Sequence, residues 1–214
     1  VGGVLPTSGG VLPYWLGGAF IKVLSPWVDP ALAARLPFAV LLALILALTW
    51  YTTYHLARTK AAQPLPLAFG GEAEPADYAR AVADGGVLAL IATLGLLQLG
   101  HETTPELLQL TGSTLFLYGL AMAETRAVKA RWAALLSLPV MAASGSPAVA
   151  LMLGAAGSVI CLLSRQAELR QYLRWVLVSM VLAMALASGL SALGLSGWSW
   201  RLSWPDTPGE VLRL

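Results

Sequence analysis

Apolar residues fill long uninterrupted windows of this chain rather than recurring at the spacing of a half-buried helix. Residues 38–48 read FAVLLALILAL. With its shoulders, the run over 32–57 exceeds the roughly 20 apolar residues a helix needs to cross a bilayer. Six such windows, parted by short polar stretches, predict helices at 32–57, 82–99, 106–123, 132–143, 147–163 and 172–193. The expected fold class is therefore all-α, a polytopic transmembrane helical bundle of about six membrane helices. The fourth helix is short. Its Ser-Gly-Ser-Pro stop at 144–147 marks a span that ends near one face or lies partly buried in protein, and Pro147 opens the next helix in a favoured first-turn position. Residues 14–24, YWLGGAFIKVL, are too few to span and predict an interfacial helix near the N-terminus. The longest polar stretch, 59–84, reads as a loop broken by Pro and Gly, with 76–83 as a polar lead-in to the next helix.

Composition strengthens that picture: 57% of residues are hydrophobic and 11% charged, against about 25% charged in an ordinary globular chain. Helices so poor in polar residues have no face to offer water, so lipid is their natural solvent. Cys161, the single cysteine, lies inside an apolar window and reads as packing. Val1 in place of an initiator Met, an opening without a basic start or apolar core, and an end without a polar tail lead us to expect an internal part of a larger protein. All of 1–214 is expected to belong to one transmembrane domain. Within it, 1–30 is an outward loop with the interfacial helix, 58–84 a cytoplasmic loop, and 194–214 an outward segment.

Charge gives the orientation. Arg58, Lys60 and Arg80, then Arg126, Lys129 and Arg131, then Arg165, Arg170 and Arg174 fall in alternate gaps. The other gaps hold only Lys22 and Arg35 before the first span and Arg201 and Arg213 at the end. The positive-inside rule puts the clustered side in the cytoplasm. The N-terminal segment, the turn at 100–106, the turn at 144–147 and the C-terminal segment then face outward. Tyr14, Trp15 and Trp27 before the first span, and Trp198, Trp200 and Trp204 after the last, suit the headgroup layer. The expected location is multi-pass in a bacterial cytoplasmic (inner) membrane, with membrane lipids as partners and no nucleic acid.

Candidate chemistry concentrates in the outward turn Gly100-His101-Glu102-Thr103-Thr104-Pro105-Glu106. Part of it is a helix start, with Thr103 or Thr104 as N-cap, Pro105 in the first turn and Glu106 favoured by the dipole. His101 and Glu102 are not needed for that cap and stay open for binding a metal, holding a phosphate or exchanging a proton. Arg35, just ahead of the longest apolar run, is placed to snorkel to anionic head groups, to pair with Asp29 or to meet a lipid-linked phosphate. His55 reads as an interfacial polar residue. Phosphate loops, His-x-x-x-His pairs, Cys clusters and nucleophile elbows are missing. A divalent metal is compatible with the carboxylates, but the sequence does not require one.

Residues 12–58, with Tyr14-Trp15, an interfacial helix, the AARLP sequence containing Arg35 and then a long apolar run, resemble part of the integral-membrane glycosyltransferases that use a polyprenyl-phosphate sugar. This is the family of the bacterial lipid A aminoarabinose transferase and the protein O-mannosyltransferases, with the GT-C fold. Residues 94–124 resemble that family's next helix pair, whose polar outward turn ends in Pro, and 142–149 one of its turns. The resemblance implies transfer of a sugar from a polyprenyl-phosphate donor to an acceptor on the outer face. It also implies that Tyr14, Trp15, Arg35, His101 and Glu102 bind substrate, while an outward-loop Asp preceding Val1 acts as base. Where relatives of the aminoarabinose transferase carry an acid, a lysine and a proline before Tyr-Trp, this chain has Ser8, Gly9 and Gly10. Phosphate recognition then falls to Arg35, His101 or residues outside this piece. Two other functions stay open: a transporter or flippase for lipid-linked substrates, which calls for ionisable residues at mid-membrane, and a non-catalytic membrane scaffold.

Overall fold

The computed structural model describes residues 10–64, 73–94 and 104–195, and every regular element among them is helical. The α-helices are α1 (Leu12–Leu24), α2 (Pro30–Ala57), α3 (Pro75–Leu94), α4 (Pro105–Met122), α5 (Ala127–Ala143), α6 (Pro147–Leu163) and α7 (Ala167–Ala192), with a 3-10 turn at Lys60–Ala62. The apolar windows locate α2, α4 and α6 to within about two residues. By contrast, α3, α5 and α7 begin well before their windows, at 75 rather than 82, 127 rather than 132, and 167 rather than 172. Their first two turns carry good helix formers such as Arg80, Lys129, Glu168 and Arg170, which extend the helix beyond its greasy part. The expected short fourth helix is thereby corrected: α5 has 17 residues, as many as α6.

Two helices among the described residues, α2 and α7, are long and apolar enough to cross a bilayer, with mean hydropathy of 2.4 and 2.0 in their best windows. At 1.5 Å per residue they rise about 42 and 39 Å. Only 28% of each window is buried, so most of these side chains face outward instead of filling a core. The windows of the sequence count six such spans. By combined length and hydropathy the described helices supply two, with α1 and α6 apolar but shorter.

Helix ends follow local chemistry. Asp29 caps α2, its Oδ1 accepting from the Ala31 and Leu32 amides at 2.9 and 3.4 Å. Gly145 and Gly194, at φ 91° and 67°, close α5 and α7 in the same way. In each the glycine amide donates back to Ala142 or Ser191, and the following amide donates to Met141 or Leu190, the paired bonds of a Schellman stop. Both are left-handed positions at which a Cβ is strained.

Connections of a few residues fold α4, α5, α6 and α7 back and forth. α5 packs on α4, α6 and α7, while α2 packs on α1, α3 and α4. Phe116, Leu138, Met141, Val176 and Ala183 are buried in the cluster between α4, α5, α6 and α7, and Phe38, Ile45 and Leu107 join α2 to α4. Small residues set the helix spacing, as expected where packing rather than water drives association. Gly157 faces the ring of Phe116, and Gly154 faces Met180 and Leu138. Cys161 is free and fully buried, in keeping with a packing role.

Candidate functional site

Both glycine stops lie at the same end of the bundle, and the segment leading into α1 is built against them. Gly10 sits so close to Ala143, Ser144 and Gly145 that a Cβ would collide with their backbone. Val11 packs with Ala143 and Leu190 in a small apolar cluster that Leu12 and Leu195 complete. From α4, Gln109 Nε2 donates to the Ser144 carbonyl at 3.0 Å. Ser144 is itself fully buried, with its hydroxyl donating to the Val140 carbonyl at 2.6 Å. Four separated parts of the chain, around residues 10, 109, 144 and 190, therefore meet at one end. Gly10 therefore has no room for a side chain, and any residue larger than glycine there would force the α5–α6 turn apart.

The sequence-predicted residues fall around this end unevenly. Tyr14 and Trp15 are 46% and 57% exposed on α1, so neither is committed to the core. Arg35 is exposed in the second turn of α2. The two helices pack with Gly17 near the Ala34 carbonyl, which brings these residues onto adjoining elements without a hydrogen bond between them among the described residues. Asp29 does not pair with Arg35. Its carboxylate is spent on the α2 cap, and the ion pair found among the described residues joins Arg80 to Asp77 at 2.7 Å.

Thr104 occupies the N-cap position of α4 with Pro105 and Glu106 in the first turn, but its side chain makes no capping bond, and its Oγ1 is buried without a partner among the described residues. His101 and Glu102 lie outside the described residues, as do Trp198, Trp200 and Trp204. Trp27 is 79% exposed beside the α1–α2 corner. Among the described residues no three His, Cys, Asp or Glu side chains gather as a metal ion would need.

The opposite end is basic. Glu124 accepts from Gln166 at 3.2 Å, and Arg131 lies over the ring of Trp175. Together these contacts tie the start of α5 to the start of α7. Arg126 and Arg58 both act electrostatically on His55, which is half-buried near the end of α2 and edge-on to Tyr54 at 5.4 Å. Trp50 Nε1 donates to Asp84 at 2.7 Å and joins α2 to α3. The three groups of Lys and Arg read from alternate gaps thus share one end, and the α5–α6 turn at 144–147 lies at the other.

Sequence reasoning passed over Gln109 and the close packing that Gly10 serves. An amide in an otherwise apolar helix carries a signal, since a polar group at such depth needs a partner. Gly10 carries none, because its reason lies 133 or more residues away in the chain. No protein-family model matches this sequence, no curated protein matches it, and no solved structure matches it.

Proposed function

We propose that this chain belongs to a multi-pass glycosyltransferase of a bacterial inner membrane, which moves a sugar from a polyprenyl-phosphate donor to a lipid, glycan or protein acceptor on the periplasmic face. The observation that carries the reading is the sorting of charge. Nine Lys and Arg side chains from three gaps are gathered at one end. The other end combines Arg35, exposed aromatic rings and the polar turn at 144–147, which Gln109 reaches from α4. A membrane orients such a molecule with its basic end in the cytoplasm, leaving the second end to the periplasm. The many exposed apolar side chains, among them Val40 and Leu44 on α2 and Val181 and Leu182 on α7, supply the surface a lipid environment and a prenyl tail require.

In the reaction, the acceptor oxygen bonds to the sugar's anomeric carbon as the bond from that carbon to the phosphate oxygen breaks. The acceptor proton passes to a carboxylate, the outward-loop Asp that the resemblance implies. The leaving prenyl phosphate keeps the electron pair and must be held by cations. Arg35 and His101 are assigned to that task, with Tyr14, Trp15 and Glu102 on the sugar side. Replacing either cation in the full-length protein, by Arg35→Ala or His101→Ala, is expected to lower transfer from a labelled polyprenyl-phosphate sugar by about tenfold or more. Unchanged turnover in both variants at normal expression would remove these residues from the mechanism. Counterflow of the labelled donor in proteoliposomes without any product would replace the transferase by a flippase.

A further inference from the structure

At the basic end, α5 and α7 leave a shallow groove lined by Arg131, Gln171, Arg174, Trp175 and Val178. Its charged members have one sign. The Arg131 guanidinium lies 5.4 Å from the centre of the Trp175 ring, a contact that steadies the fork without using its N–H donors. Gln171, Arg174 and Trp175 stand at i, i+3 and i+4 on α7, so one face of that helix offers an amide, a guanidinium and an indole together. Neither arginine belongs to an ion pair among the described residues. Glu124 and Glu168 line a cleft that shares Arg131, Gln171 and Trp175 with the groove, and Glu124 there accepts from Gln166, so Arg174 is the cation farther from the carboxylates.

Away from the groove the surface of both helices turns apolar. Trp132 and Leu136 on α5 are 62% and 53% exposed, and Val181 on α7 is 68% exposed. A dissolved anion would meet the charge but have no use for this strip. An anionic lipid satisfies both, because its phosphate reaches the arginines while its acyl chains cover the apolar side chains.

We propose that the groove seats the phosphate headgroup of an anionic lipid in the leaflet at the basic end, with Arg131, Gln171 and Arg174 donating to its oxygens. This seat uses none of the residues assigned to sugar transfer and stands or falls apart from that reading. The test places the protein in phosphatidylcholine vesicles with a rising fraction of phosphatidylglycerol brominated on its acyl chains, and tryptophan quenching reads which lipid gathers at the protein. Wild type is expected to prefer phosphatidylglycerol. The preference should fall about fivefold with each of Arg131→Gln and Arg174→Gln, while Arg58→Gln, at the same end but outside the groove, leaves it in place.

Equal preference in wild type and the double variant overturns the proposal, as does loss of the preference in excess inorganic phosphate, which would make the groove a seat for free anions. Native mass spectrometry of wild type supplies a readout that does not depend on how the variants fold. Retention of phosphatidylglycerol over phosphatidylcholine is expected, and equal retention defeats the idea.

Discussion

Tyr172 carries a hydroxyl that no described residue answers. The residue is 4% exposed and its Oη is buried without a hydrogen-bond partner. It is tolerated because Gly119 opposite has no Cβ; a methyl group there would strike the hydroxyl. Gly119→Ala is therefore expected to cost about 1–3 kcal/mol through overpacking. Tyr172→Phe should be neutral or gain up to about 1 kcal/mol by removing an unsatisfied polar atom. Combined, the two changes should cost less than their sum, as read by denaturant unfolding in detergent. Strict additivity would mean that the two residues do not press on each other. Nothing in the local sequence singles out Gly119, because its partner lies 53 residues further along the chain. Asp29 carried a signal the sequence reading did not use: an acid followed by Pro ahead of an apolar run is a helix-start signature, whereas the residue was read only as a partner for Arg35.

At the scale of elements, that cap fixes where the long helix α2 begins. Asp29→Ala is expected to destabilise the protein by about 1 kcal/mol, while Asp29→Asn, which keeps an accepting oxygen, should lose much less; similar losses in the two variants by the same unfolding measurement would argue against a capping role. The Ser179 hydroxyl on α7 reaches the Ala134 carbonyl of α5, which Ser137 also serves, so two buried hydroxyls converge on one acceptor at the α5–α7 contact. The apolar windows made the existence of these helices readable, since uninterrupted hydrophobicity needs no tertiary knowledge. Their starts were less readable because Arg80, Lys129 and Glu168 look like loop residues in a hydropathy profile yet are good helix formers. Which helix faces which was harder still: windows apolar all round have no preferred face, and the contacts are chosen by single glycines and serines.

For the whole molecule, the division into a basic end and an end of polar turns can be tested directly. In a Cys161→Ser background, a cysteine replacing Ser146 should react with a membrane-impermeant maleimide added outside intact cells, and one replacing Lys60 should react only after the membrane is opened. The reverse pattern would turn the proposed transfer site to the cytoplasm. This division was legible because it is a sum over gaps, indifferent to how the helices pack. The convergence of residues 10, 109, 144 and 190 was not, since it depends on that packing. It also has a mechanical consequence. With Gly10 wedged against the α5–α6 turn, and Val11 against the end of α7, a tilt of α1 drags both along, so these pieces move as one rigid cap. On the opposite flank α3 packs mainly on α2 and is held to it by the Trp50–Asp84 bond, so losing that one bond would loosen α3 without disturbing the end closed by Gly10.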